Sequence, residues 1–163
     1  MKAIIITGTP GTGKSTLAKL ISKKFGFKHI DVNKVVKDKK LSEGVDKKRK
    51  TKIVDVKKLN KELIKLIKES DEKMVIDSHM SHFLPKRFVG MCIVTICDIK
   101  ELKKRLKGRK YPVLKINENI EAEIFQICYE EAKEKRHKIE VVDTSSSKEL
   151  KLLLQKISLY NKK

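Results

Sequence analysis

The feature that most constrains this chain lies at residues 8–15, which read Gly-Thr-Pro-Gly-Thr-Gly-Lys-Ser. This segment fits, without a mismatch, the pattern of two glycines separated by four residues and followed by Lys and then Ser or Thr. An apolar segment, Ala3–Thr7, precedes the loop, and an amphipathic helix is predicted over Lys14–Phe25 after it. Backbone N–H groups of such a loop, together with the positive end of the following helix, bind phosphate. The sequence therefore predicts a P-loop that binds a nucleoside triphosphate.

The individual P-loop residues have separate predicted roles. Gly11 and Gly13 leave room for the backbone to approach phosphate oxygens. The ammonium of Lys14 can reach the β- and γ-phosphates, and the Ser15 hydroxyl can ligate Mg²⁺. Thr16 adds a second hydroxyl. We therefore expect ATP and Mg²⁺ as cofactors.

Strand and helix patterns alternate along the rest of the chain, which is typical of a parallel sheet with crossover helices. Further strands are predicted over residues 28–32, 73–77, 91–97 and 139–142. Further helices are predicted over residues 56–68, 98–106 and 117–136, and after a capping box that begins at Ser146. Residues 35–51 are highly charged and weakly patterned, and they are interpreted as a small mobile insert. Residues 107–116 are predicted to form a loop.

A second candidate group ends the predicted strand 73–77, where the apolar residues Met74, Val75 and Ile76 lead to Asp77. Ligands of open parallel sheets bind at the carboxyl ends of the strands, so Asp77 is expected to face the P-loop and hold Mg²⁺ through water. The alternative is a carboxylate that only caps the strand end. His79 can orient a water or a phosphate oxygen, or it can be an ordinary polar loop residue. His79 and His82 are three residues apart, but no further ligands accompany them, so a zinc site is not expected.

Composition adds a strong basic charge. The chain has 40 Lys and Arg against 21 Asp and Glu, a net charge of +19. Such a field attracts polyanions such as nucleotides or RNA. A lysine-rich surface of the thermophile kind would give the same count, and both explanations stay open. No apolar run is long enough to span a membrane. The cysteines Cys92, Cys97 and Cys128 are odd in number and lack zinc-type spacing, so buried thiols in a reducing, cytoplasmic setting are expected.

Three segments together resemble the adenylate kinase isoenzyme 6 family. They are the P-loop through Thr16, the triplet Asp77-Ser78-His79, and the stretch that runs from Arg105 through Tyr111 to Phe125. The resemblance covers residues 4 to about 131. Many families share the P-loop, whereas the Asp-x-His triplet and the stretch Lys115-Ile116-Asn117-Glu118-Asn119-Ile120 are far more specific.

The resemblance implies an α/β fold of the P-loop NTPase kind, with three layers and a five-stranded parallel sheet flanked by helices. It implies a single domain over residues 1–163, with a monophosphate-binding insert at about 31–54 and a short lid at about 107–117. ATP would bind Gly11, Gly13, Lys14, Ser15 and Thr16. Asp77 and His79 would form the variant second motif, and Arg109 in the lid would touch ATP. Arg105 is a weaker candidate, because an ion pair on the helix surface explains it equally well.

The implied activity is phosphoryl transfer from ATP to AMP, with a slow ATPase. The resemblance also implies a role in maturation of the small ribosomal subunit, through transient binding of a platform ribosomal protein. Pre-rRNA is a further candidate partner, with which the basic charge is compatible. A nucleotide-switched assembly ATPase with incidental kinase activity is therefore the alternative to a nucleoside monophosphate kinase. A kinase for another small metabolite is a third hypothesis, disfavoured by the short insert and the Asp77-Ser78-His79 triplet.

The insert departs from the family pattern. Lys37 stands where an arginine is expected near the start of the insert, and the tip carries Lys47, Lys48, Arg49 and Lys50 instead of acidic residues. Lysine lacks the planar fork that binds a phosphate through two parallel hydrogen bonds. Arg49 can substitute, or the basic tip can bind RNA, or it can be a solvated run of charge.

Overall fold

Five parallel strands form a central sheet, as the alternating pattern predicts. A computed structural model describes residues 2–162, so Met1 and Lys163 lie outside the described residues. The strands are β1 (Ala3–Thr7), β2 (Lys28–Asp31), β3 (Ser42–Asp46), β4 (Thr51–Val54), β5 (Met74–Asp77), β6 (Val89–Ile96) and β7 (Ile139–Asp143). The helices are α1 (Lys14–Phe25), α2 (Val32–Asp38), α3 (Val56–Glu69), α4 (Ile99–Gly108), α5 (Val113–Ile124), α6 (Ile127–Glu134) and α7 (Ser147–Asn161).

The strand order in the main sheet is β2-β5-β1-β6-β7, and every described neighbouring pair is parallel. β1 lies in the middle, between β5 and β6. Its side chains alternate between two buried clusters. Ile4 and Ile6 pack with α1 and α7, whereas Ile5 packs with α3. A strand covered on both faces must be apolar throughout, which explains the continuous run of isoleucines.

The insert is more regular than the sequence predicts. Residues 35–51 were expected to be weakly patterned, but they include the last four residues of α2, all of β3 and the first residue of β4, which pairs with β3 in an antiparallel hairpin. Asp31 caps α2, because its side chain accepts a hydrogen bond from the Asn33 N–H at 2.9 Å. Val45 and Ile53 on the hairpin are about half exposed, at 59% and 52%. The hairpin therefore has no deep core of its own, and its strands are too short and polar to show an apolar period of two in the sequence.

The structure also differs from the loop predicted over residues 107–116 and from the long helix predicted over residues 117–136. α4 continues through Gly108 and α5 begins at Val113, so only residues 109–112 of the predicted loop lie outside helices. The helix predicted over residues 117–136 breaks between α5 and α6, where Gln126 has a left-handed backbone with φ of +51°. Apolar periodicity continues across this break, which is why the sequence does not reveal it. Among residues 2–162, none of the helices combines the length and apolar character needed to cross a bilayer.

Candidate functional site

A cleft of about 710 Å³ opens at the carboxyl edge of the main sheet. Its walls are the P-loop, the end of β5, the insert hairpin, and helices α5 and α6. This main cleft brings together every residue predicted to act on the triphosphate or the metal: Gly11, Gly13, Lys14, Ser15, Thr16, Asp77, His79 and Arg109. A smaller side pocket of about 260 Å³ lies next to it, between the P-loop, α4 and Thr144.

The P-loop backbone is held in conformations that favour glycine. Gly11 and Gly13 have φ of +97° and +91°. A Cβ atom at Gly13 would lie 2.9 Å from the hydroxyl oxygen of Thr144. The sequence motif therefore reflects both the left-handed backbone and the close approach of the loop after β7.

Three threonines, to which sequence analysis assigned no role, hold this loop in place through hydrogen bonds. The Thr12 and Thr95 hydroxyl oxygens are 2.6 Å apart, and the Thr144 hydroxyl donates to the Thr12 carbonyl at 2.7 Å. Thr95 is fully buried near the end of β6. Its only sequence signal is a hydroxyl in an otherwise apolar strand, and the contact becomes visible only with the strand register. These hydrogen bonds preorganise the loop for phosphate.

Lys14 is the P-loop cation, and here it is bound by the loop itself. Its Nζ donates to the carbonyl oxygens of Gly8 and Thr9 at 2.7 and 2.8 Å. Desolvation in the cleft lowers the pKa of Lys14 from its usual 10.5 to about 8, and the charge of Arg109 acts in the same direction. An incoming phosphate would replace these carbonyls and stabilise the charged amine.

Asp77 lies at the end of β5 facing the P-loop, where it contacts Ser15. The Ser15 hydroxyl donates to Asp77 Oδ2 at 2.6 Å, and the carboxylate is nearly buried. His29 on β2, which sequence analysis missed, lies 2.5 Å from the other carboxylate oxygen. A hydroxyl and a carboxylate are hard oxygen donors that suit Mg²⁺, which usually takes its other ligands from water and substrate phosphates. Residues 2–162 contain no cluster of three or more His, Cys, Asp or Glu side chains that could hold a metal ion.

The two histidines after β5 have different surroundings. His79 stands in the cleft, where desolvation and the nearby charges of Lys14 and Lys115 lower its pKa to about 4. It is therefore neutral near pH 7 and can both donate and accept a hydrogen bond. His82 is fully buried, its Nδ1 is 2.6 Å from the Thr7 hydroxyl, and burial lowers its pKa to about 4. His82 therefore braces β1 just before the P-loop.

The two arginines near the lid line the side pocket. Arg109 follows the last turn of α4, is exposed, and borders the main cleft as well. Arg105 makes the helix-surface ion pair that was expected as its alternative, with Glu101 at 2.9 Å. It also donates to the Gly11 carbonyl at 3.3 Å, so it joins α4 to the P-loop.

The insert tip crosses the mouth of the cleft. The Arg49 guanidinium holds both carboxylate oxygens of Glu118 on α5, through Nε at 2.8 Å and Nη2 at 2.6 Å. Lys37, by contrast, is exposed on α2 and does not line the cleft. Arg49 is therefore the arginine that the insert directs toward the cleft.

Comparisons with known proteins agree with this architecture. A family model described as an AAA domain matches residues 4–126. Shikimate kinases from Bacteroides thetaiotaomicron and Acinetobacter baumannii superpose with a TM-score of 0.62 each. They cover 99% and 98% of this chain, and 99% and 93% of their own chains are matched, at 15% and 11% identity. Such low identity shows a shared fold only.

Sequence relatives are more specific. The adenylate kinase isoenzyme 6 homologue of Schizosaccharomyces pombe is 42% identical over 132 residues, 80% of this chain and 74% of the relative. The Caenorhabditis elegans homologue of the same name is 36% identical over 131 residues, 80% of this chain and 72% of the relative. A Methanocaldococcus jannaschii protein is 37% identical over 140 residues, 86% of this chain and 77% of its own length.

Together with the P-loop fold, these kinase relatives define a nucleotide kinase of the P-loop class. At these identities and coverages, the chain belongs to the adenylate kinase isoenzyme 6 family.

The pKa of Lys14 predicts how nucleotide affinity depends on pH. Because Lys14 loses its proton near pH 8 in the free protein, the affinity for a non-hydrolysable ATP analogue should fall about tenfold from pH 7 to pH 9. Binding above pH 8 should take up a proton. Calorimetry in two buffers of different ionisation enthalpy measures both quantities. Lys14→Met should remove most of the pH dependence; an equally steep profile in that variant would assign the titration to another group.

Proposed function

We propose that the protein is an ATP-dependent nucleoside monophosphate kinase, with AMP as the favoured acceptor and a slow ATPase as a side activity. The observation that carries this proposal is the main cleft, which runs without a break from the P-loop to the insert tip. The side pocket offers a place for the nucleoside of ATP beside Thr16, Arg105 and Thr144. The insert end of the main cleft offers a second place, for the acceptor. The adenylate kinase names of the relatives support adenine nucleotides at both.

Phosphoryl transfer in this arrangement depends on positioning and charge neutralisation. Lys14 would bind the β- and γ-phosphates, and Arg109 would neutralise charge that spreads over the transferred group. Ser15 and Asp77 would hold Mg²⁺, directly or through water, and the metal would neutralise the phosphate oxygens when bound. His79, neutral in the cleft, would orient a water or an acceptor oxygen. Lid residues 107–117 and insert residues 31–54 would close over the substrates and exclude water.

The decisive assay resolves all nucleotide products after incubation with ATP and Mg²⁺, with and without AMP, CMP, GMP or UMP. A kinase converts the monophosphate itself to the diphosphate. Lys14→Ala should abolish this transfer, whereas Lys19→Ala on the exposed face of α1 should not affect it. Wild-type rates in Lys14→Ala would refute the site, and phosphate release that ignores every monophosphate would refute the kinase assignment.

Arg49 indicates where the phosphate of the acceptor would bind. We infer that its guanidinium exchanges the Glu118 carboxylate for the phosphate of the acceptor, because both anions present two oxygens that the guanidinium fork can bind at once. Other cations line the same end of the cleft: Lys50, Lys52 and Lys115. The pair is partly solvated, with 44% of the Arg49 side chain exposed, so releasing it costs little.

Replacing Arg49 by Lys should raise KM for AMP about tenfold or more while kcat changes less, because the fork is lost and the charge is kept. Glu118→Gln should lower KM by freeing Arg49. Steady-state kinetics at varied AMP measure both, with Lys39→Ala on the exposed end of the insert helix as the matched control. An unchanged KM in Arg49→Lys would exclude Arg49 from the acceptor site.

A second candidate function is a nucleotide-switched ATPase that acts in small-subunit ribosome assembly and binds a platform ribosomal protein or pre-rRNA. The net charge of +19 and the exposed lysines of the hairpin turn, Lys47, Lys48 and Lys50, favour RNA as a partner. The three free thiols fit a reducing compartment, and we propose the cytoplasm.

Salt dependence tests the RNA proposal. Binding of a single-stranded RNA should weaken steeply with salt, and Lys47→Glu with Lys48→Glu should lower the slope of log K against log salt by about 0.7 for each lost phosphate contact. The matched control reverses the charge of two lysines on α7, by Lys148→Glu with Lys151→Glu. A slope that both double variants share with the wild type would exclude the hairpin as the RNA site.

A further inference from the structure

His29 on β2 belongs to none of the motifs that identify the family, yet it contacts the most buried carboxylate of the cleft. β2 and β5 pair in parallel, with His29 opposite Val75 and Asp31 opposite Asp77. The His29 side chain reaches along this register to Asp77, and its Nε2 lies 2.5 Å from Oδ1. Only 19% of the His29 side chain and 4% of the Asp77 side chain are exposed. The contact is therefore enclosed between the edge strand and its neighbour.

The Asp77 carboxylate is consequently held at both oxygens. Ser15 donates to Oδ2 at 2.6 Å from the first turn of α1, while His29 holds Oδ1 from the opposite strand. A carboxylate with one partner can rotate about its Cβ–Cγ bond, whereas one with partners on both oxygens has a defined plane. Partners of this kind orient metal-binding carboxylates and tune their affinity.

We propose that His29 is a positioning residue for Asp77, which fixes the plane of the carboxylate toward the Mg²⁺ that accompanies the triphosphate. When the Ser15 hydroxyl turns from Asp77 to the metal, the hydrogen bond from His29 Nε2–H is the contact that keeps Asp77 in place. The inference rests on the proposed use of ATP with Mg²⁺. In this role His29 donates a hydrogen bond from a fixed position, and the charge of its imidazole does not change.

Two substitutions separate this role from simple packing. His29→Phe keeps a ring of similar size and removes the donor. His29→Gln keeps a donor at about the reach of Nε2 and removes the ring. His29→Phe should therefore lose more metal affinity than His29→Gln. His29→Gln should lose more of the packing than His29→Phe.

The experiment measures calorimetric binding of a non-hydrolysable ATP analogue to the full chain, first in EDTA and then over a Mg²⁺ titration. His29→Phe should leave the metal-free affinity unchanged and weaken apparent Mg²⁺ affinity by about 10- to 100-fold. His29→Gln should recover most of that loss. In an Asp77→Asn background, His29→Phe should have little further effect, because the carboxylate that it positions is gone.

The possible failures are distinguishable. If the wild type binds no analogue even with Mg²⁺, the proposed function and this inference both fall. If the wild type binds it and His29→Phe has unchanged or tighter Mg²⁺ affinity, only the positioning role falls. Equal losses in both His29 variants, with weaker metal-free binding and a lower unfolding midpoint, would show a packing role and also overturn the proposal.

Discussion

The site depends first on the burial of β1 between β5 and β6. Parallel pairing places Ile6 opposite Asp77 on one side and opposite Ile93 on the other, so the ends of all three strands meet at one edge of the sheet. The P-loop leaves β1 at this edge, and the Thr95 hydroxyl beneath it comes from β6. A shift of register by one residue would send Asp77 to the opposite face and separate it from Ser15. Catalytic geometry and core packing are therefore set by the same strand pairing.

Two cations of the phosphate cleft have internal partners in this protein of net charge +19. Lys14 is held by two backbone carbonyls, and Arg49 is held by Glu118 and Asp46. Each cation thus has an internal partner that phosphate can replace. If phosphate displaces Glu118 from Arg49 as proposed, substrate binding is linked to movement of the insert tip relative to α5.

Local sequence signals predicted the sheet, the P-loop and the place of Asp77 at the edge of the sheet that faces the P-loop, because these follow from apolar runs and one motif. Contacts between distant segments escaped prediction. The contact of His29 with Asp77 depends on strand order, and that of Arg49 with Glu118 depends on a hairpin whose short, polar strands show no apolar period of two. The break at Gln126 escaped because helical periodicity runs across it. The roles assigned to His79 and Arg109, and the bounds of insert and lid, stay predictions, although both side chains line the cleft.

The proposed kinase site is tested most directly by a crystal structure with a bisubstrate analogue, two adenosines joined by a pentaphosphate chain. We predict that one adenosine occupies the side pocket and that the phosphates run past Lys14. Arg49 should leave Glu118 and bind the phosphate nearest the second adenosine. A structure in which the second adenosine lies outside the main cleft, with the Arg49–Glu118 pair intact, would contradict the nucleoside monophosphate kinase assignment.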